Sequence, residues 1–383
     1  MDTPVIPMYP TQLLQQSLRR TAASLLITGL LAACAPTAPT APDPGRPHHR
    51  AEGFQNNYIE FKPKPLSDLL AWRWQSWREG KPPAPKTATP QIQPDLAFLQ
   101  ANARAGAAMQ PAVTWIGHAT VLVQLGGLNL LTDPTFSERA FPVQFLGPKR
   151  AQPPGLALRE LPHIDAVLIS HNHYDHLDLA SVQALAAQPG GAPLFIVPLG
   201  LKAWFAAQGI VNVVELDWWQ AQRVGAVEVV MTPVQHWSAR SFNDQLETLW
   251  GGYALFAPDL HLYFAGDTGY SKDFADIRAR FAERQRDGGG FDIALLPIGG
   301  YEPRWFMQQQ HVNPAEAVQI HRDLGAQRSL GVHWGSFELT DEALDEPPIA
   351  LAAARRAAGL ADDDFFVIAL GQTRRLQPRK TGR

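Results

Sequence analysis

A segment of six residues at the end of an apolar run constrains this chain more than any other feature. Residues 166–169 (AVLI) carry no polar side chain, as expected of a strand buried on both faces, and lead through Ser170 into HNHYDH at residues 171–176. Because side chains alternate along an extended chain, the first two histidines point to the same side. Imidazole and carboxylate groups suit zinc, iron or manganese. The segment therefore predicts a metal site at a sheet edge.

Three further candidate ligands follow β-rich runs later in the chain. His236 follows EVVMTPVQ, Asp267 follows HLYFAG, and His333 follows SLGV. Side chains that leave several strands at the same sheet edge can meet in one pocket. The order and placement of these residues favour one shared metal site.

Short β-rich runs alternate with helical runs along most of the chain, which predicts an α/β layered domain. The predicted strands are 112–116, 120–125, 128–133, 166–170, 194–197, 227–232, 252–256, 261–265, 291–297 and 365–370. The predicted helices are 179–187, 200–208, 271–284, 314–324 and 343–358. Gly126 and Gly127, between the second and third strands, predict a tight hairpin.

Composition excludes several classes of protein. A chain of 383 residues with 45% hydrophobic residues can bury a full core. One cysteine cannot form an intramolecular disulfide or a thiolate-rich zinc site. The formal net charge is −3, so no basic excess attracts a nucleic acid, and none is expected as a partner.

The single cysteine ends an apolar N-terminal segment. Arg19 and Arg20 precede residues 21–33 (TAASLLITGLLAA), which are fewer than the ~20 residues needed to span a bilayer. The sequence LAAC at residues 31–34 resembles the lipobox of bacterial lipoproteins, which implies a signal peptide over residues 1–33 and a lipidated Cys34. An ordinary signal peptide is the alternative. Ala35, where an aspartate would retain a lipoprotein in the inner membrane, points to the outer membrane of a Gram-negative bacterium; the side that it faces stays open.

Residues 34–53 are interpreted as a Pro-rich tether, and residues 54–383 as the folded domain, with an N-terminal helical and irregular extension over residues 54–100. His48 and His49 could form a metal-binding tract, but the composition favours a solvated linker.

An apolar stripe at helical spacing lies within residues 66–77. Its members are Leu66, Leu69, Leu70, Trp74 and Trp77. We favour a helix whose stripe packs on the main domain. The tryptophans at residues 72–77, with Arg73 and Arg78, leave a membrane-interface surface as the alternative.

The pattern HxHxDH at residues 171–176 resembles the signature of the metallo-β-lactamase superfamily. That resemblance implies a four-layer αββα sandwich with a two-metal site. More specifically, the segments TWIGHATVLVQ, LLTDPTFSERA, FLGPKR, ISHNHYDHLD, FAGDTGY, LPIGGYEPRWFM, QHVNPAEAV and HWGSFELT look like the N-acylphosphatidylethanolamine-hydrolysing phospholipase D family. The resemblance covers roughly residues 54–375.

The resemblance assigns a role to each candidate. The first zinc would be held by His171, His173 and His236, the second by Asp175, His176 and His333, and both by a bridging Asp267. Gln310 and His311 match the pair that this family places against the phospholipid head group. Asn313 departs from the family, where an acid is expected. Iron or manganese in place of zinc stays open.

The implied activity is that of a membrane-anchored phosphodiesterase that converts N-acylphosphatidylethanolamine into phosphatidic acid and N-acylethanolamine. Two metal ions ~3.5–4 Å apart lower the pKa of a bridging water to about 7, so that hydroxide attacks phosphorus. Asp175 would orient that water, and His311 would act as a donor or acid. Two alternatives remain: a metallohydrolase of a lactone or another carbonyl substrate, and a metal-binding lipoprotein without turnover. Part of the family is dimeric, which makes a homodimer a further expectation.

Two more residues stand near the candidate ligands. His118 lies between two strands and is interpreted as a support for a metal ligand or as an ordinary structural histidine. Asp133 ends the strand LNLLTD, where a role beside the metals or in a turn is expected. Trp305, Phe306 and Met307 precede Gln310 and are candidates for the wall of an acyl groove.

Overall fold

The computed structural model describes residue 43, residues 45–286 and residues 288–379. The predicted signal segment and half of the predicted tether, including Cys34, lie outside the described residues. The strands are β1 (Ala112–Gly117), β2 (Thr120–Leu125), β3 (Leu128–Thr132), β4 (Ala166–Leu168), β5 (Leu194–Pro198), β6 (Val213–Leu216), β7 (Ala221–Val224), β8 (Val227–Thr232), β9 (Gly252–Phe256), β10 (His261–Phe264), β11 (Ile293–Pro297), β12 (Ser329–Val332), β13 (Phe365–Phe366) and β14 (Thr373–Arg375). The helices are α1 (Leu66–Glu79), α2 (Leu96–Ala103), α3 (Leu179–Ala186), α4 (Lys202–Ala207), α5 (Asp273–Phe281), α6 (Arg304–Met307), α7 (Pro314–Leu324) and α8 (Glu346–Ala357).

The strands form two sheets of seven with matching topologies. The first sheet has the order β14-β1-β2-β3-β4-β5-β6, and the second has the order β13-β12-β11-β10-β9-β8-β7. In the first sheet, neighbouring strands pair antiparallel from β14 to β3 and parallel from β3 to β6. In the second sheet, they pair antiparallel from β7 to β10 and parallel from β10 to β13. Parallel pairing requires crossover connections, and helices such as α3 and α7 provide them.

Apolar residues fill the space between the sheets and the space between each sheet and its helices. Val121 and Leu168 of the first sheet belong to the same buried cluster as Leu255 of the second. On the other face of the first sheet, Val167 clusters with Val182 of α3. The arrangement confirms the expected αββα layers, because every strand face in the middle of the sheets is covered.

Strand direction brings the polar strand ends to one edge of the sandwich. The strands β3 and β4 are parallel, so Asp133 and Ser170 follow them side by side. In the second sheet β8 and β10 both run antiparallel to β9, and β12 runs parallel to β10 through β11. His236, Asp267 and His333 therefore leave the second sheet at the same edge.

The predicted strands and helices correspond to observed elements, most of them within a few residues. At the hairpin between β2 and β3, Gly126 and Gly127 have φ values of 59° and 82°, which glycine adopts without strain. The strand predicted at 365–370 is only two residues long. The predictions missed three edge strands, β6 (VVEL), β7 (AQRV) and β14 (TRR). The last two are partly exposed and lack an apolar alternation.

The segment before the domain packs against it, which makes the solvated-linker interpretation of His48 and His49 wrong. Nε2 of His48 lies 2.6 Å from one oxygen of Asp217, and Nε2 of His49 lies 2.8 Å from the other. Arg46 pairs with the same carboxylate. His48 also stacks on Trp218, with ring centroids 4.3 Å apart. The reason is a buried acid 168 residues away in sequence, which no local pattern reveals.

Helix α1 confirms the predicted helix but not the predicted direction of its stripe. Its packed face carries Trp72, whose Nε1 donates to Asp341 (3.0 Å), and Ser76, whose hydroxyl donates to the same carboxylate (2.8 Å). Most of the predicted stripe is exposed instead: Leu66 by 62%, Leu70 by 60%, Trp74 by 63% and Trp77 by 72%. Among the described residues, no helix combines the length and apolar character needed to cross a bilayer.

Candidate metal centre

Three histidine rings from both sheets meet at the edge of the sandwich. Nε2 of His171 lies 2.8 Å from Nδ1 of His173, and Nε2 of His236 lies 3.4 Å from the same nitrogen. His171 and His236 are fully buried. His173 packs edge-on against Trp237, with ring centroids 4.7 Å apart. One nitrogen of each ring therefore faces a common point, as three ligands of one ion would.

A second group of side chains surrounds two carboxylates beside these rings. Nε2 of His176 and Nε2 of His333 each lie 3.1 Å from Oδ2 of Asp267. The same nitrogens lie 3.3 and 3.5 Å from Oδ2 of Asp175. Asp267 Oδ2 is also 4.0 Å from Nε2 of His236 in the first group. Asp267 thus stands between the two groups, where a bridging carboxylate would have to be.

Neighbouring groups fix which nitrogen faces the centre in four of the five candidate histidine ligands. Four histidines direct Nδ1 away from it: His171 to Ser170 Oγ (2.9 Å), His176 to Asp133 Oδ2 (2.7 Å), His236 to the Gln310 carbonyl (2.9 Å) and His333 to the Gly299 carbonyl (3.3 Å). A carbonyl or carboxylate accepts from Nδ1–H, so Nε2 is the nitrogen whose lone pair each ring offers to the centre in its neutral form. Such hydrogen bonds orient metal-binding histidines.

Asp133 connects the two groups from behind. Its Oδ1 accepts from the Ser170 backbone N–H (2.7 Å), and its Oδ2 accepts from the Ser170 hydroxyl (2.5 Å) as well as from His176. Because Ser170 Oγ in turn receives Nδ1–H of His171, one carboxylate orients a histidine in each group. Asp133 therefore contacts and orients candidate ligands, in agreement with a role beside them rather than in a turn alone.

His118 supports Asp175. Nε2 of His118 lies 2.9 Å from Oδ2 of Asp175, and burial, with the neighbouring His333, lowers the pKa of His118 to about 3. A neutral ring that donates from Nε2 holds the carboxylate in place without neutralising it. This contact agrees with the interpretation of His118 as a support for a candidate ligand and not as an ordinary structural histidine.

Backbone strain is concentrated at this edge. His118, Asp133 and His333 have φ values of 53°, 33° and 61°, although none is glycine. Such conformations persist only where the surrounding structure imposes them, and they cluster at functional sites. Gly266 has a φ of 62° and lies so close to Ser170 that a Cβ would approach the serine Cβ to 2.5 Å. Close packing of the two strand ends therefore sets the position of Asp267.

Electrostatics make the centre a cation site. Burial raises the pKa of Asp267, but His176 and His333 outweigh it and hold that pKa well below its ordinary value. Burial opposes protonation of His333, yet Asp267 and Asp175 raise its pKa to about 9. Burial lowers the pKa of His173 to about 4 and that of His236 to about 3. The carboxylates are thus ionised, and these last two rings are neutral, as ligands must be.

The donor set fits metal ions. Several buried nitrogen and oxygen atoms in the centre have no hydrogen-bond partner, a costly condition unless something else binds them. These atoms are Nε2 of His176, Nε2 of His333, Oδ1 of Asp267 and Nδ1 of His311. Imidazole and carboxylate donors, without thiolate, suit zinc, iron or manganese.

The loop after helix α6 brings Gln310 and His311 to the centre. Nδ1 of His311 lies 3.7 Å from Oδ2 of Asp267, and burial lowers the pKa of His311 to about 3. The ring is therefore neutral and suited to donate a hydrogen bond rather than to release a proton. Gln310 holds His236 through its carbonyl, while its amide contacts Met307 Sδ at 3.2 Å. Met307 is buried, whereas Trp305 is exposed.

Asn313, where the family resemblance leads one to expect an acid, caps helix α7. Its side-chain oxygen accepts from the Glu316 backbone N–H (2.9 Å), and Glu316 Oε2 accepts from the Asn313 backbone N–H (2.9 Å). Asparagine caps a helix as well as aspartate does. The departure therefore leaves the local hydrogen bonding complete.

Sequence reasoning missed two supports of the centre. The side chain of Asn56 holds the His236 backbone at both its N–H (3.0 Å) and its carbonyl (2.9 Å). Glu342 accepts backbone hydrogens from the loop after β11, including that of Gly300 at 2.5 Å. No motif marks these residues, because each contacts a segment at least 40 positions away.

The two sheets and the His/Asp centre define a class of protein. The sequence model of a protein family described as the beta-lactamase superfamily domain matches residues 128–334. The chain belongs to this superfamily of metal-dependent hydrolases. A structure of an isothiocyanate hydrolase from Delia radicum gut bacteria aligns with 70% of this chain and 99% of that chain, with a TM-score of 0.54 and 21% identity. That likeness supports the fold.

Curated relatives narrow the class. The chain is 39% identical to N-acyl-phosphatidylethanolamine-hydrolyzing phospholipase D 1 of Caenorhabditis elegans over 270 residues, 68% of this chain and 74% of that protein. It is 40% identical to the mitochondrial protein of the same name from Saccharomyces cerevisiae over 255 residues, 65% of this chain. The second alignment spans about half (53%) of the yeast protein. The predicted family resemblance is therefore confirmed.

Proposed function

We propose that this chain is a dinuclear zinc hydrolase that cleaves N-acylphosphatidylethanolamine to phosphatidic acid and N-acylethanolamine. The seven candidate ligands gather in adjoining groups at one edge of the sandwich, and several of their buried nitrogen and oxygen atoms have no hydrogen-bond partner; this observation carries the metal part of the proposal. The relatives of similar sequence that are named for this activity support the substrate.

The seven side chains would hold two ions. The first would bind His171, His173 and His236, the second Asp175, His176 and His333, with Asp267 bridging both. Bound zinc ions supply a nucleophilic water at neutral pH and withdraw charge from the phosphoryl group. In the balanced reaction, water gives its hydroxyl to phosphorus and its proton to the departing alcohol, and the bond between phosphorus and the head-group oxygen breaks.

The protein's own groups would position the reactants. Asp175, held by His118 and ionised, can accept a hydrogen from the attacking water and thereby orient it. His311, neutral and beside Asp267, can donate a hydrogen bond to a phosphoryl oxygen. The side chain of Gln310 would contact the head group from the same loop.

We further propose that the protein is exported and anchored through a lipid on Cys34 to the outer membrane. The lipobox-like LAAC at residues 31–34 supports this. Metabolic labelling with a radioactive fatty acid should mark the wild-type chain and not Cys34→Ser. Label on both, or on neither, would refute lipidation at this residue.

The activity is tested with purified, zinc-loaded protein and mixed-lipid substrates. Release of N-acylethanolamine from N-acylphosphatidylethanolamine by the wild type, and a loss of at least about 1,000-fold in His173→Ala, are expected for a metal-dependent phosphodiesterase. Turnover of a lactone series without release of N-acylethanolamine would refute the phospholipid substrate. Equal turnover by both proteins would refute the assigned centre.

A further inference from the structure

Helix α1 presents an apolar surface to solvent although its other face is packed. We name the four exposed residues Leu66, Leu70, Trp74 and Trp77 the outer stripe. They recur at intervals of four, four and three residues, which places them on one side of the helix. The Trp74 and Trp77 rings contact each other, with centroids 5.0 Å apart. A contiguous exposed apolar patch of this kind marks an interaction surface.

The charge around the outer stripe indicates what it meets. Residues 62–86 carry six basic side chains (Lys62, Lys64, Arg73, Arg78, Lys81 and Lys86) against Asp68 and Glu79, a local net charge of +4 in a chain of net charge −3. Tryptophan with flanking arginine or lysine is the composition of segments that lie in the interface of an anionic bilayer.

The packed face of α1 connects the stripe to the metal centre. Trp72 packs against Phe306 of α6 in a tilted arrangement, with ring centroids 4.8 Å apart, and Lys64 lies over the same Phe306 ring at 5.3 Å. Helix α6 leads directly into the loop with His311, whose backbone N–H donates to the Met307 carbonyl (2.9 Å). The surface is thus joined to the loop that borders the centre.

We propose that the outer stripe of α1 docks the folded domain on an anionic lipid bilayer, independently of any lipid on Cys34. The 14-residue helix would lie in the plane of the interface, with Trp74 and Trp77 at the level of the head groups and Arg73 and Arg78 against lipid phosphates. A second copy of the chain fits less well, because a two-fold contact would bring two segments of charge +4 together. Docking would also bring the metal centre to its lipid substrate. That consequence rests on the proposed phospholipid activity, whereas binding to vesicles does not.

Vesicle flotation of the full chain carrying Cys34→Ser tests the proposal without any lipid anchor. The vesicles contain phosphatidylethanolamine with phosphatidylglycerol, or phosphatidylcholine alone. Trp74→Ala/Trp77→Ala should lower the partition coefficient about tenfold or more on both vesicles. Arg73→Gln/Arg78→Gln should lower it about 25-fold on anionic vesicles only, about fivefold for each arginine.

Matched controls change exposed residues on other elements. Val211→Ala/Ile349→Ala removes apolar surface, and Arg159→Gln/Arg356→Gln removes two charges; both should bind vesicles within about twofold of the parent. Equal binding by the parent and by both α1 variants would overturn the proposal. A parent dimer that Trp74→Ala/Trp77→Ala dissociates in sedimentation would overturn it in favour of a second copy.

Activity assays separate this proposal from the proposed function. If both hold, Trp74→Ala/Trp77→Ala raises the KM for substrate in vesicles and leaves turnover of a short-chain, monomeric phosphodiester unchanged. If the parent floats with anionic vesicles but hydrolyses no phospholipid, docking stands and the proposed activity fails. If phospholipid turnover occurs but the α1 variants float like the parent, the docking proposal is refuted and the proposed activity stands.

Discussion

Replacing Asp133 with asparagine should weaken metal binding although the residue is not a candidate ligand. Its carboxylate accepts three hydrogen bonds: from the Ser170 N–H at 2.7 Å, from the Ser170 hydroxyl at 2.5 Å and from His176 Nδ1 at 2.7 Å. An asparagine oxygen can keep the backbone bond, but its NH₂ group then faces two donors. Relief of that conflict turns His176 to the tautomer with its proton on Nε2, the atom that would bind the metal in the proposed centre.

The magnitude follows from the same contacts. Loss of a carboxylate that orients a metal-binding histidine costs about 10–100-fold in affinity, or about 1.4–2.7 kcal/mol. A buried hydrogen bond to a charged group contributes about 1.5–3 kcal/mol, which agrees with this range. Since Asp133 also acts on His171 through Ser170, the expected loss lies toward 100-fold.

The assay is a competition for zinc between the protein and a fluorescent chelator, for the wild type, Asp133→Asn and Asp165→Asn. Asp165 offers a matched control, because its carboxylate accepts the Asn129 N–H (2.7 Å) at the opposite end of β4. Wild-type affinity is expected for Asp165→Asn. Wild-type zinc affinity in Asp133→Asn, or an equal loss in both variants, would refute the orienting role of Asp133.

Three more predictions concern other parts of the structure. Asp267→Asn should lose metal together with activity, as measured by metal content per chain, because in the proposed centre this carboxylate would bridge both ions; two ions retained per chain would contradict the bridge. Burial raises the pKa of Asp217, but hydrogen bonds from the two histidines beside it outweigh burial and lower that pKa to about 2. Asp217→Asn should therefore reduce the free energy of unfolding in urea by about 1–2 kcal/mol at pH 7, a difference that persists to about pH 4 and disappears as the pH falls toward 2. If the difference did not change with pH, the contacts of the ionised Asp217 carboxylate would be excluded as its cause. Gly266→Ala should reduce the free energy of unfolding by about 2–4 kcal/mol through its clash with Ser170, whereas Gly209→Ala, with a similar φ of 76° and open space, should cost about 1 kcal/mol; equal losses would show that backbone strain alone is responsible.

Helix α1 shows which features a local sequence pattern determines and which it does not. Helical spacing predicted the helix, since the interval of three or four residues is a local property. It did not predict which side packs, because Trp72 and Ser76 bind Asp341, about 270 residues away. A stripe therefore shows that one face is apolar, but a distant partner decides whether that face is covered.

His48 and His49 illustrate the same limit at the start of the domain. A Pro-rich neighbourhood predicted a solvated linker, and only the buried carboxylate of Asp217, between β6 and β7, provides a reason for the histidines to pack. The sequence did not predict Asn56 and Glu342 as supports of the centre for the same reason. Hydrogen bonds across large sequence separations leave no periodic signal.

The sequence by itself determined the layered fold, the candidate ligands and their family, because alternation, strand ends and HNHYDH at residues 171–176 are local patterns with few alternative meanings. Tertiary structure alone decided which ring nitrogen of His176, His236 and His333 faces the centre, since the group that accepts from each Nδ1 lies on another strand or loop. It also decided that Asp133 serves both groups and that the stripe of α1 faces solvent. These outcomes depend on contacts between distant segments, which form only when the two sheets pack.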